Sequence, residues 1–486
     1  MIHTFPRAAA RSAVSDGGAV IRRPARLVSR LSAAARSHVG RSLVVRILAA
    51  LLLAASLAAL FAAADREWVV PRFDSSGQRV ALRQFPYPYH AMAALVNDCD
   101  NLTLRAFERY HRFLNTREET VYGTGLGLDV TDSFFPYSAA ADSAALMTYY
   151  LGLDPETPKE ARRIRRYFEC GWIDTLHTFG DFSTQNENTE SGQAPSESTQ
   201  FGFDLASAAL TGLWRDRLFP LVWTDHGNEG NVQNFGSYHP ATSSRYQRGD
   251  DKFSGAYYHT DLTLAGGGVK YIWHSRHSGR FGADFPAFAA TLRDGQKVWA
   301  FDRFTGERGA NGEIEWLWYP DWLADELTEA RLASVAENRQ YALFAQHLGF
   351  YGEDYRIPEQ GIEALRRLAA WQNEKNEILV AGTARLLEYA TMRKFVRYRA
   401  RAGADGAAEI DILAIDDPLF PEAAPDLARL RGLTFYCDDA DRARLLVNGE
   451  PVGESEIKRN AADETGRPSL SIKWFEPDYT DFSAFG

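Results

Sequence analysis

The stretch AALVNDCD, residues 93–100, is an apolar run that stops at a polar cluster. The stretch WIDTLHTFGD, residues 172–181, has the same organisation and ends in His177 and Asp181. Short apolar runs separated by helical patterns are typical of strands in a parallel sheet. In an α/β barrel the carboxyl ends of such strands meet, and an active site is assembled there from distant parts of the sequence. The two stretches therefore indicate an enzyme.

Seven apolar runs of this kind are spaced along the chain. Strands that alternate with helices demand parallel pairing with right-handed crossovers, so the pattern predicts an α/β fold, a (β/α)7 barrel that is closed or incompletely closed. An open doubly wound sheet is the alternative, although no glycine-rich fingerprint follows the first run. The predicted strands are residues 93–96, 125–130, 172–176, 218–223, 268–273, 298–304 and 341–346; the predicted helices are residues 102–114, 139–150, 156–169, 200–214, 359–374 and 377–394.

The carboxyl-terminal part has a different pattern of predicted secondary structure. From about residue 395, short β-like runs are separated by Gly and Asp turns, and no helical pattern lies between them. We expect residues 66–394 to form the barrel domain and residues 395–486 to form a small β-rich accessory domain packed against it.

The amino-terminal part predicts a membrane anchor. Residues 1–43 carry eight arginines against the single acid Asp16, and an apolar segment at 44–64 follows. Its length is at the short end of a membrane span, and the basic flank predicts a cytoplasmic amino terminus with the rest of the chain outside. A cleaved signal peptide is the alternative. Both interpretations deliver the barrel to an extracytoplasmic space, which in a bacterial envelope means the inner membrane facing the periplasm, or secretion.

The composition narrows the class of partner. With 486 residues, 45% of them hydrophobic, the chain can form a large domain and a smaller one. Its net charge of −10 argues against nucleic acid as the partner. Only three cysteines are present, so no disulfide framework is expected. Cys99 is interpreted as a small buried filler between two aspartates.

The polar clusters after the first and third runs predict a metal site. Asp98 and Asp100 share a face if the strand stays extended, and two carboxylates there can hold a divalent cation or divide into a ligand and a base. Their alternative role is to cap the helix that follows. His177 and Asp181, with Asp100, would complete a set of three ligands that leaves positions open for water.

Other strand ends supply further candidates. His347 ends the last strand, beside the first in a barrel, and could serve as a general acid. Aromatic faces suit the apolar faces of sugars, so Trp316 and Trp318 are candidates for substrate contact, or else they cover the outer helices. The remaining candidates for substrate binding are Asp225, His226, Asn231 and Arg303. His259, His274 and His277 are further candidates, and several of the histidines must be structural or lie outside the ligand set.

The order of these clusters resembles the polysaccharide deacetylase superfamily over residues 85–390. That resemblance implies a (β/α)7 barrel, a base and a metal ligand from the aspartates after the first strand, two histidine ligands from a His-x-x-x-His motif, and a late histidine that acts as the acid. Here Asp98 and Asp100 flank Cys99, Asp181 stands where the motif has its second histidine, and His347 holds the late position. The resulting His/Asp/Asp set is competent for zinc or a harder metal.

The leading hypothesis is an extracytoplasmic, metal-dependent deacetylase that removes N- or O-acetyl groups from a polysaccharide with metal-activated water. A divalent metal, zinc by preference, would be held by Asp100, His177 and Asp181, with Asp98 as base and His347 as acid. One rival is a glycoside hydrolase that pairs Asp98 or Asp100 with Asp225. The other rival is a non-catalytic glycan-binding or assembly protein of an envelope polysaccharide system.

Overall fold

The computed structural model describes residues 72–73, 79–138, 144–182, 201–226, 233–235, 263–264, 267–274, 277–292, 296–309 and 314–485. Residues 71–486 form one compact unit. The segments 1–43 and 44–64, and the candidate residue Asn231, lie outside the described residues. Among the residues that are described, no helix combines the length and the apolar character that a membrane crossing requires.

One large sheet, most of whose pairs are parallel, dominates this unit. Its hydrogen-bonded order runs from His277–Ser278 at one end to Ala287–Thr291 at the other, and the last of these pairs antiparallel. In chain order its strands are β1 (Ala91–Asn97), β2 (Thr131–Phe134), β3 (Ile173–Leu176), β4 (Val222–Thr224), β5 (Tyr271–Trp273), β6 (His277–Ser278), β7 (Ala287–Thr291), β8 (Lys297–Phe301), β9 (Arg303–Phe304), β10 (Tyr341–Gln346) and β11 (Ile378–Val380).

The order of the strands places the first and last predicted strands side by side. It reads β6-β9-β10-β1-β2-β3-β4-β5-β8-β7, and β11 pairs with the amino-terminal half of β1. In the described residues the hydrogen bonds do not close a barrel, because this order has two ends. β8 and β9 are nevertheless separated by Asp302 alone, and they pair with β5 and β10 respectively. The mixed α/β class is confirmed.

The helices form a minor part of the described residues and lie mainly between the strands. The first begins after Thr103, whose side chain accepts a hydrogen bond from the Ala106 N–H at 3.2 Å. It buries Phe107, Tyr110 and Leu114 at helical spacing. The helices are α1 (Leu104–Asn115), α2 (Ala161–Glu169), α3 (Phe203–Arg215), α4 (Leu323–Glu326), α5 (Glu329–Glu337), α6 (Glu359–Asn373) and α7 (Thr383–Phe395).

Smaller sheets accompany the large one. Strands Arg72–Phe73, Arg79–Leu82, Thr434–Tyr436, Ser469–Ile472 and Ile457–Asn460 make one sheet, and Val396–Ala402, Ala408–Ile415, Arg444–Val447 and Glu450–Pro451 make another. Two-stranded pairs are formed by Glu119–Thr120 with Gly123–Thr124, Tyr137–Ser138 with Gly180–Asp181, Tyr150–Leu151 with Asp154–Pro158, and Gly306–Arg308 with Ile314–Trp316. Short 3-10 helices cover Pro320–Trp322, Leu427–Leu430, Glu454–Glu456 and Phe482–Ala484.

β1 is buried on both faces and joins two cores. Its odd positions, such as Leu95, pack in the core that holds α1 and α6, and its even positions, such as Met92, pack in the core that holds Phe435 and Leu470. A strand covered on both faces reads as a continuous apolar run rather than as an alternating one. This is why the sequence of β1 could be recognised as a parallel strand.

Four of the predicted elements are wrong in whole or in part. The helix predicted for 156–169 begins only at Ala161, because Asp154–Pro158 is a hairpin strand. The second strand is Thr131–Phe134 and not residues 125–130, because the earlier stretch packs on the end of α1, where a Cβ at Gly125 would lie 2.4 Å from the Thr116 carbonyl oxygen. The described part of 139–150 contains no helix and ends in a hairpin strand. The helix predicted for 377–394 is divided at Gly382 into β11 and α7, since Ile378–Val380 is buried as a strand.

Candidate metal centre

Asp98 and Asp100 leave the carboxyl end of β1 and are buried, with 1% and 8% of their surface exposed. The Asp98 N–H donates to the Gln346 carbonyl at 2.9 Å, so the pairing with β10 continues into the cluster. Because Thr103 caps α1, neither carboxylate is needed for that purpose. The capping interpretation of the two aspartates therefore has no support in the structure.

His177, at the end of β3, directs one ring nitrogen at Asp100. Its Nδ1 lies 2.7 Å from the Thr224 hydroxyl and 3.2 Å from the Thr224 carbonyl oxygen, which can only accept a hydrogen bond. Nδ1 is therefore placed to donate to that carbonyl oxygen, and the neutral tautomer with its proton there presents the lone pair of Nε2. That nitrogen lies 3.1 Å from Asp100 Oδ2. A carboxylate and an imidazole lone pair at this distance repel each other unless a proton or a cation lies between them.

His226, at the end of β4, completes the group. Its backbone is fixed by two hydrogen bonds with the side chain of Asn234, each 3.1 Å long. Its Nδ1 lies 2.9 Å from Asp100 Oδ1 and 3.2 Å from His177 Nε2. Its Nε2 lies 3.2 Å from Asp181 Oδ1. A proton on Nε2 directed at Asp181 leaves the Nδ1 lone pair pointing into the group.

Asp100, His177 and His226 therefore offer converging ligand atoms, all within 4.8 Å of one another. Two imidazoles and a carboxylate are a common ligand set for a catalytic zinc. The second ring nitrogen of each histidine contacts an oxygen outside the ligand set. His177 Nδ1 contacts Thr224, and His226 Nε2 contacts Asp181. Such outer contacts fix the tautomer and the ring orientation in metal sites.

A second group, formed by Asp98, Arg303 and His347, adjoins the first. Arg303 Nη2 donates to Asp98 Oδ2 at 2.5 Å, and its guanidinium lies 3.7 Å from the centre of the Trp273 ring. His347 Nε2 lies 3.6 Å from Asp98 Oδ2 and 3.4 Å from Asp100 Oδ2, while its Nδ1 lies 3.3 Å from the Trp318 carbonyl oxygen. Asp98 Oδ1 is buried and has no hydrogen-bond partner among the residues that the structure describes.

The charges keep both carboxyl groups ionised. Burial raises the pKa of Asp98, but Arg303, His177 and His347 outweigh burial and hold that pKa below its ordinary value. Burial likewise opposes the ionisation of Asp100, and the contacts with His226 and His177 hold its pKa well below the ordinary value.

The cluster also has an excess of negative charge when its histidines are neutral. Among the described residues of the cluster, Asp98, Asp100 and Asp181 supply negative charge and Arg303 supplies one positive charge, to which a protonated His226 adds another until a cation replaces its proton. Buried charges have to be balanced by partners. A divalent cation that displaces the proton of His226 would supply this balance.

The structure brings together most of the residues predicted from the strand ends. Asp98, Asp100, His177 and His347 lie in contact, and Arg303 joins them through Asp98. Asp181, predicted as a direct ligand, lies instead on the far nitrogen of His226; its other oxygen accepts from the Ala144 N–H at 2.7 Å. Asp225 Oδ1 accepts from Trp223 Nε1 at 2.9 Å and from the Phe235 N–H at 2.8 Å.

His226 was predicted only as a contact for substrate, although it lies among the metal-type ligand atoms. The signal that could have found it is its position directly after the fourth run, because the strand-end argument made for His177 applies equally there.

Trp316 and Trp318 stack with ring centres 4.7 Å apart, and the ring of Trp318 lies 5.5 Å from that of His347. The rings of both tryptophans are partly exposed.

A buried polar network beneath the cluster ties β1 to the last strand. Asp132 accepts hydrogen bonds from Asn97 and Tyr110, and its Oδ2 lies 3.0 Å from His111 Nε2. The side-chain oxygen of Asn97 in turn accepts from the Leu348 N–H at 2.8 Å. The network thus fixes the residue before Asp98 and the residue after His347 relative to each other.

We expect Asp132→Ala to lower the free energy of unfolding by about 3–5 kcal/mol, because it leaves buried partners of one carboxylate unsatisfied. Urea unfolding followed by circular dichroism measures this change. Asp154→Ala, at an exposed carboxylate in a hairpin, is the control and should leave stability close to that of the unmodified protein. Equal stability of the two variants would show that the network does not support the fold.

A scan against protein-family models gives no match, and no curated protein matches the chain.

Proposed function

We propose that this protein is a metal-dependent deacetylase of an acetylated polysaccharide. The observation that carries the proposal is the convergence of Asp100, His177 and His226, in which two imidazole lone pairs and a carboxylate face one point. In the absence of a cation, a proton on His226 has to bridge these atoms, and Asp100 and Asp181 raise the pKa of His226 to about 10. A hydrolytic metal site needs such ligands and open positions for water and substrate.

The proposed ligand set differs from the one that the sequence suggests. His226 takes the place of Asp181 as the third ligand, and Asp181 orients His226 through Nε2. In the deacetylases that the sequence resembles, both histidines come from one motif; here the second would come from the end of the next strand. With His226 in place of Asp181, the ligand set consists of one carboxylate and two imidazoles. This is the set of ligand types that the resemblance implies.

The side chains around this site can divide the proton transfers between them. Bound at this site, a divalent cation, zinc by preference, would polarise the acetyl carbonyl and lower the pKa of water. Asp98, held ionised by Arg303, would take the proton from water as the general base. His347, on the other side of the two aspartates, would return a proton to the leaving amine or alcohol.

The fold and the location follow as parts of the same proposal. We infer an incompletely closed (β/α)7 barrel, supported by the parallel order of the strands and by residues 297–304, which pair with β5 in their first half and with β10 in their second. The segment 44–64 would anchor the enzyme in the inner membrane with the barrel outside, or would direct its secretion.

The two rival functions have less support. A glycoside hydrolase needs a second catalytic carboxylate, and the candidate Asp225 directs Oδ1 at Trp223 and at the Phe235 backbone. A non-catalytic glycan-binding protein has no need for a buried group of converging imidazole nitrogens and carboxylates. Shortening of the glycan without release of acetate would favour the first rival, and binding that survives loss of the metal cluster without any turnover would favour the second.

The test measures metal content and acetate release on the full-length protein. We expect about one metal per chain by elemental analysis and release of acetate from acetylated glycans, both lost in Asp100→Asn. Asp225→Asn is a matched control that removes a neighbouring buried carboxylate outside the ligand set. A protein that takes up no zinc, manganese or cobalt would contradict the proposal.

Metal uptake is expected to release about one proton and to strengthen as the pH rises. Burial disfavours the charged ring of His226, but Asp100 and Asp181 outweigh burial and raise the pKa of His226 to about 10. A cation must displace the proton from Nδ1, so apparent affinity should rise roughly tenfold per pH unit below that pKa. Calorimetry in two buffers of different ionisation enthalpy measures the proton; uptake without proton release would contradict the assignment of His226.

A further inference from the structure

A fully buried carboxyl group lies against the strand that leads to His347. Glu326 is the last residue of α4 and has no exposed surface. Its Oε2 accepts a hydrogen bond from Gln346 Nε2 at 2.6 Å. Gln346 is fully buried as well, and it is the last residue of β10 and the direct neighbour of His347 in the chain. The proposed reaction uses neither of the two side chains.

The cations around Glu326 do not pair with its carboxyl group. Arg331 donates to the backbone carbonyl of Glu326 at 2.9 Å, and Arg367 donates to the next backbone carbonyl at 2.7 Å. Arg303 donates to a different carboxylate. Burial raises the pKa of Glu326 well above its ordinary value and outweighs the opposing hydrogen bond and the nearby arginines. We therefore expect this carboxyl group to keep its proton at pH values at which an exposed glutamate is ionised.

Two buried oxygens, one on each residue of this pair, have no hydrogen-bond partner among the described residues: Glu326 Oε1 and Gln346 Oε1. The orientation of the amide is fixed, because Nε2 also donates to the Leu317 carbonyl oxygen at 2.9 Å, and that oxygen can only accept. A carboxylic acid and a primary amide can form two antiparallel hydrogen bonds, from N–H to the acid carbonyl and from O–H to the amide oxygen. The two oxygens left over are those that the second bond would join. A proton on Glu326 Oε1 would therefore satisfy both of them.

The same amide holds the segment that orients His347. Gln346 binds the carbonyl of Leu317, whose own N–H donates to the Thr305 carbonyl at 2.9 Å. The next carbonyl oxygen, that of Trp318, lies 3.3 Å from His347 Nδ1. Nδ1 is therefore placed to donate to Trp318, so the proton that His347 exchanges with a substrate is the one on Nε2.

We propose that Glu326 is a positioning residue that acts in its protonated form, as the acid of a carboxylic acid–amide pair with Gln346. The pair fixes the segment of Leu317 and Trp318. The Trp318 carbonyl then keeps a proton on Nδ1 of His347 and directs Nε2 towards the two aspartates. An ionised Glu326 would repel the amide oxygen and lose the second hydrogen bond. The inference rests on the proposed function, because it takes His347 as the group that protonates the leaving group.

The first test measures the protonation of Glu326 and needs no substrate. Glu326→Gln supplies the N–H and the oxygen that the pair requires, and it cannot ionise. The pKa of Glu326 is higher in the folded protein than in the unfolded chain, so its contribution to stability is complete below its ordinary value of 4.5 and is lost as the pH rises towards the folded value. Urea unfolding of the full-length proteins gives the ratio of the unfolding constants, unmodified protein over variant. We expect this ratio to rise at least about tenfold between pH 5 and pH 8; a constant ratio would overturn the protonated pair.

The second test observes the tautomer of His347. Long-range ¹H–¹⁵N spectra of the full-length protein labelled with ¹⁵N-histidine identify His347 by the signals that His347→Gln lacks. At alkaline pH we expect the neutral ring to carry its proton on Nδ1 in the unmodified protein and in Glu326→Gln. Glu326→Leu cannot pair with Gln346 and should show both tautomers. If Glu326→Leu kept the Nδ1 proton, Glu326 would not position His347. Gln346→Met breaks the pair from the other side and takes the place of Glu326→Leu if that variant does not fold.

Acetate release separates positioning from damage to the fold. Glu326→Leu should lower kcat roughly tenfold or more and change KM by less than about twofold, because a misplaced acid weakens the transition state and not substrate binding. Glu326→Gln should restore kcat to within about threefold. The matched control is Glu160→Leu, which removes another carboxyl group whose pKa burial raises, bound by the Thr148 N–H at 3.1 Å. It should lower stability and change neither the tautomer of His347 nor kcat.

The two proposals fail in different ways. If none of these proteins releases acetate, the deacetylase is refuted, and the tautomer and the unfolding ratio still decide the role of Glu326. If the unmodified protein releases acetate and Glu326→Leu matches it in kcat and in tautomer, the deacetylase stands and the role of Glu326 is refuted.

Discussion

Replacing His226 with alanine is expected to lower metal affinity roughly 100-fold or more and to abolish turnover, whereas replacing Asp181 with asparagine is expected to weaken both to a smaller extent. The reason is the order of contacts: His226 Nδ1 faces Asp100 and His177, and Asp181 lies on the opposite nitrogen of the same ring. The free energy of zinc binding is shared among the ligands of a site. Loss of one direct ligand removes its share, so metal affinity should fall roughly 100-fold or more.

The asparagine variant should behave differently. Asp181 orients His226 and favours the tautomer whose lone pair is on Nδ1, and loss of such an outer contact costs about 10–100-fold in metal affinity. The Asp181→Asn enzyme should therefore regain turnover when zinc is added in excess, and the His226→Ala enzyme should not. Competition with a chromophoric chelator measures the affinities, and acetate release measures the recovery.

The reverse result would restore the ligand set suggested by the sequence. If Asp181→Asn lost the metal completely while His226→Ala kept it, Asp181 would be the direct ligand and the tautomer assigned to His226 would be wrong. Asp225→Asn, next to His226 in the chain but with its carboxylate on Trp223 and Phe235, shows whether local distortion alone releases the metal. We expect it to retain about one metal per chain.

The sequence could predict which strand ends meet, because burial on both faces makes parallel strands visible as apolar runs. The strand at 341–346 is the one predicted, and it lies beside β1, so His347 comes within 3.4 Å of Asp100 as the strand-end argument requires. The hydrophobic periodicity of the sequence could not show which of His226 and Asp181 is the direct metal ligand. Both follow a strand, but the direction of a side chain beyond a strand depends on loop contacts such as those of Asn234 with His226.

The elements that the sequence missed have local causes. Ile378–Val380 is a run of three residues, too short to be separated from the helix that follows, and its strand conformation depends on pairing with β1. The stretch 125–130 has the composition of a strand but includes Gly127 at φ +61° and packs on the end of α1. In both places tertiary contacts override the local pattern.

Replacing Arg303 with methionine is expected to lower kcat/KM at pH 7 by roughly 10²–10³-fold and to move the acid limb of the pH profile to higher pH. Burial raises the pKa of Asp98, and Arg303 is the largest of the opposing contributions that lower it. A general base is active only when ionised, so activity is lost as the pH falls through its pKa. Without Arg303 that pKa rises, and the loss begins at a higher pH.

The pH profile distinguishes this role from simple damage to the fold. If Arg303 acts on Asp98, the methionine variant should recover part of its activity above the new pKa, since a buried carboxylate that ionises late is still a base. The matched control is Arg399→Met, which removes a guanidinium bound to the buried carboxylate of Asp411 at 2.7 Å and 3.0 Å in a different sheet. That variant should lose stability without a change in the pH profile. An unshifted pH profile in Arg303→Met would mean that Asp98 is not the general base. His347, whose Nε2 lies 3.4 Å from Asp100 Oδ2, would then be the candidate for the general base.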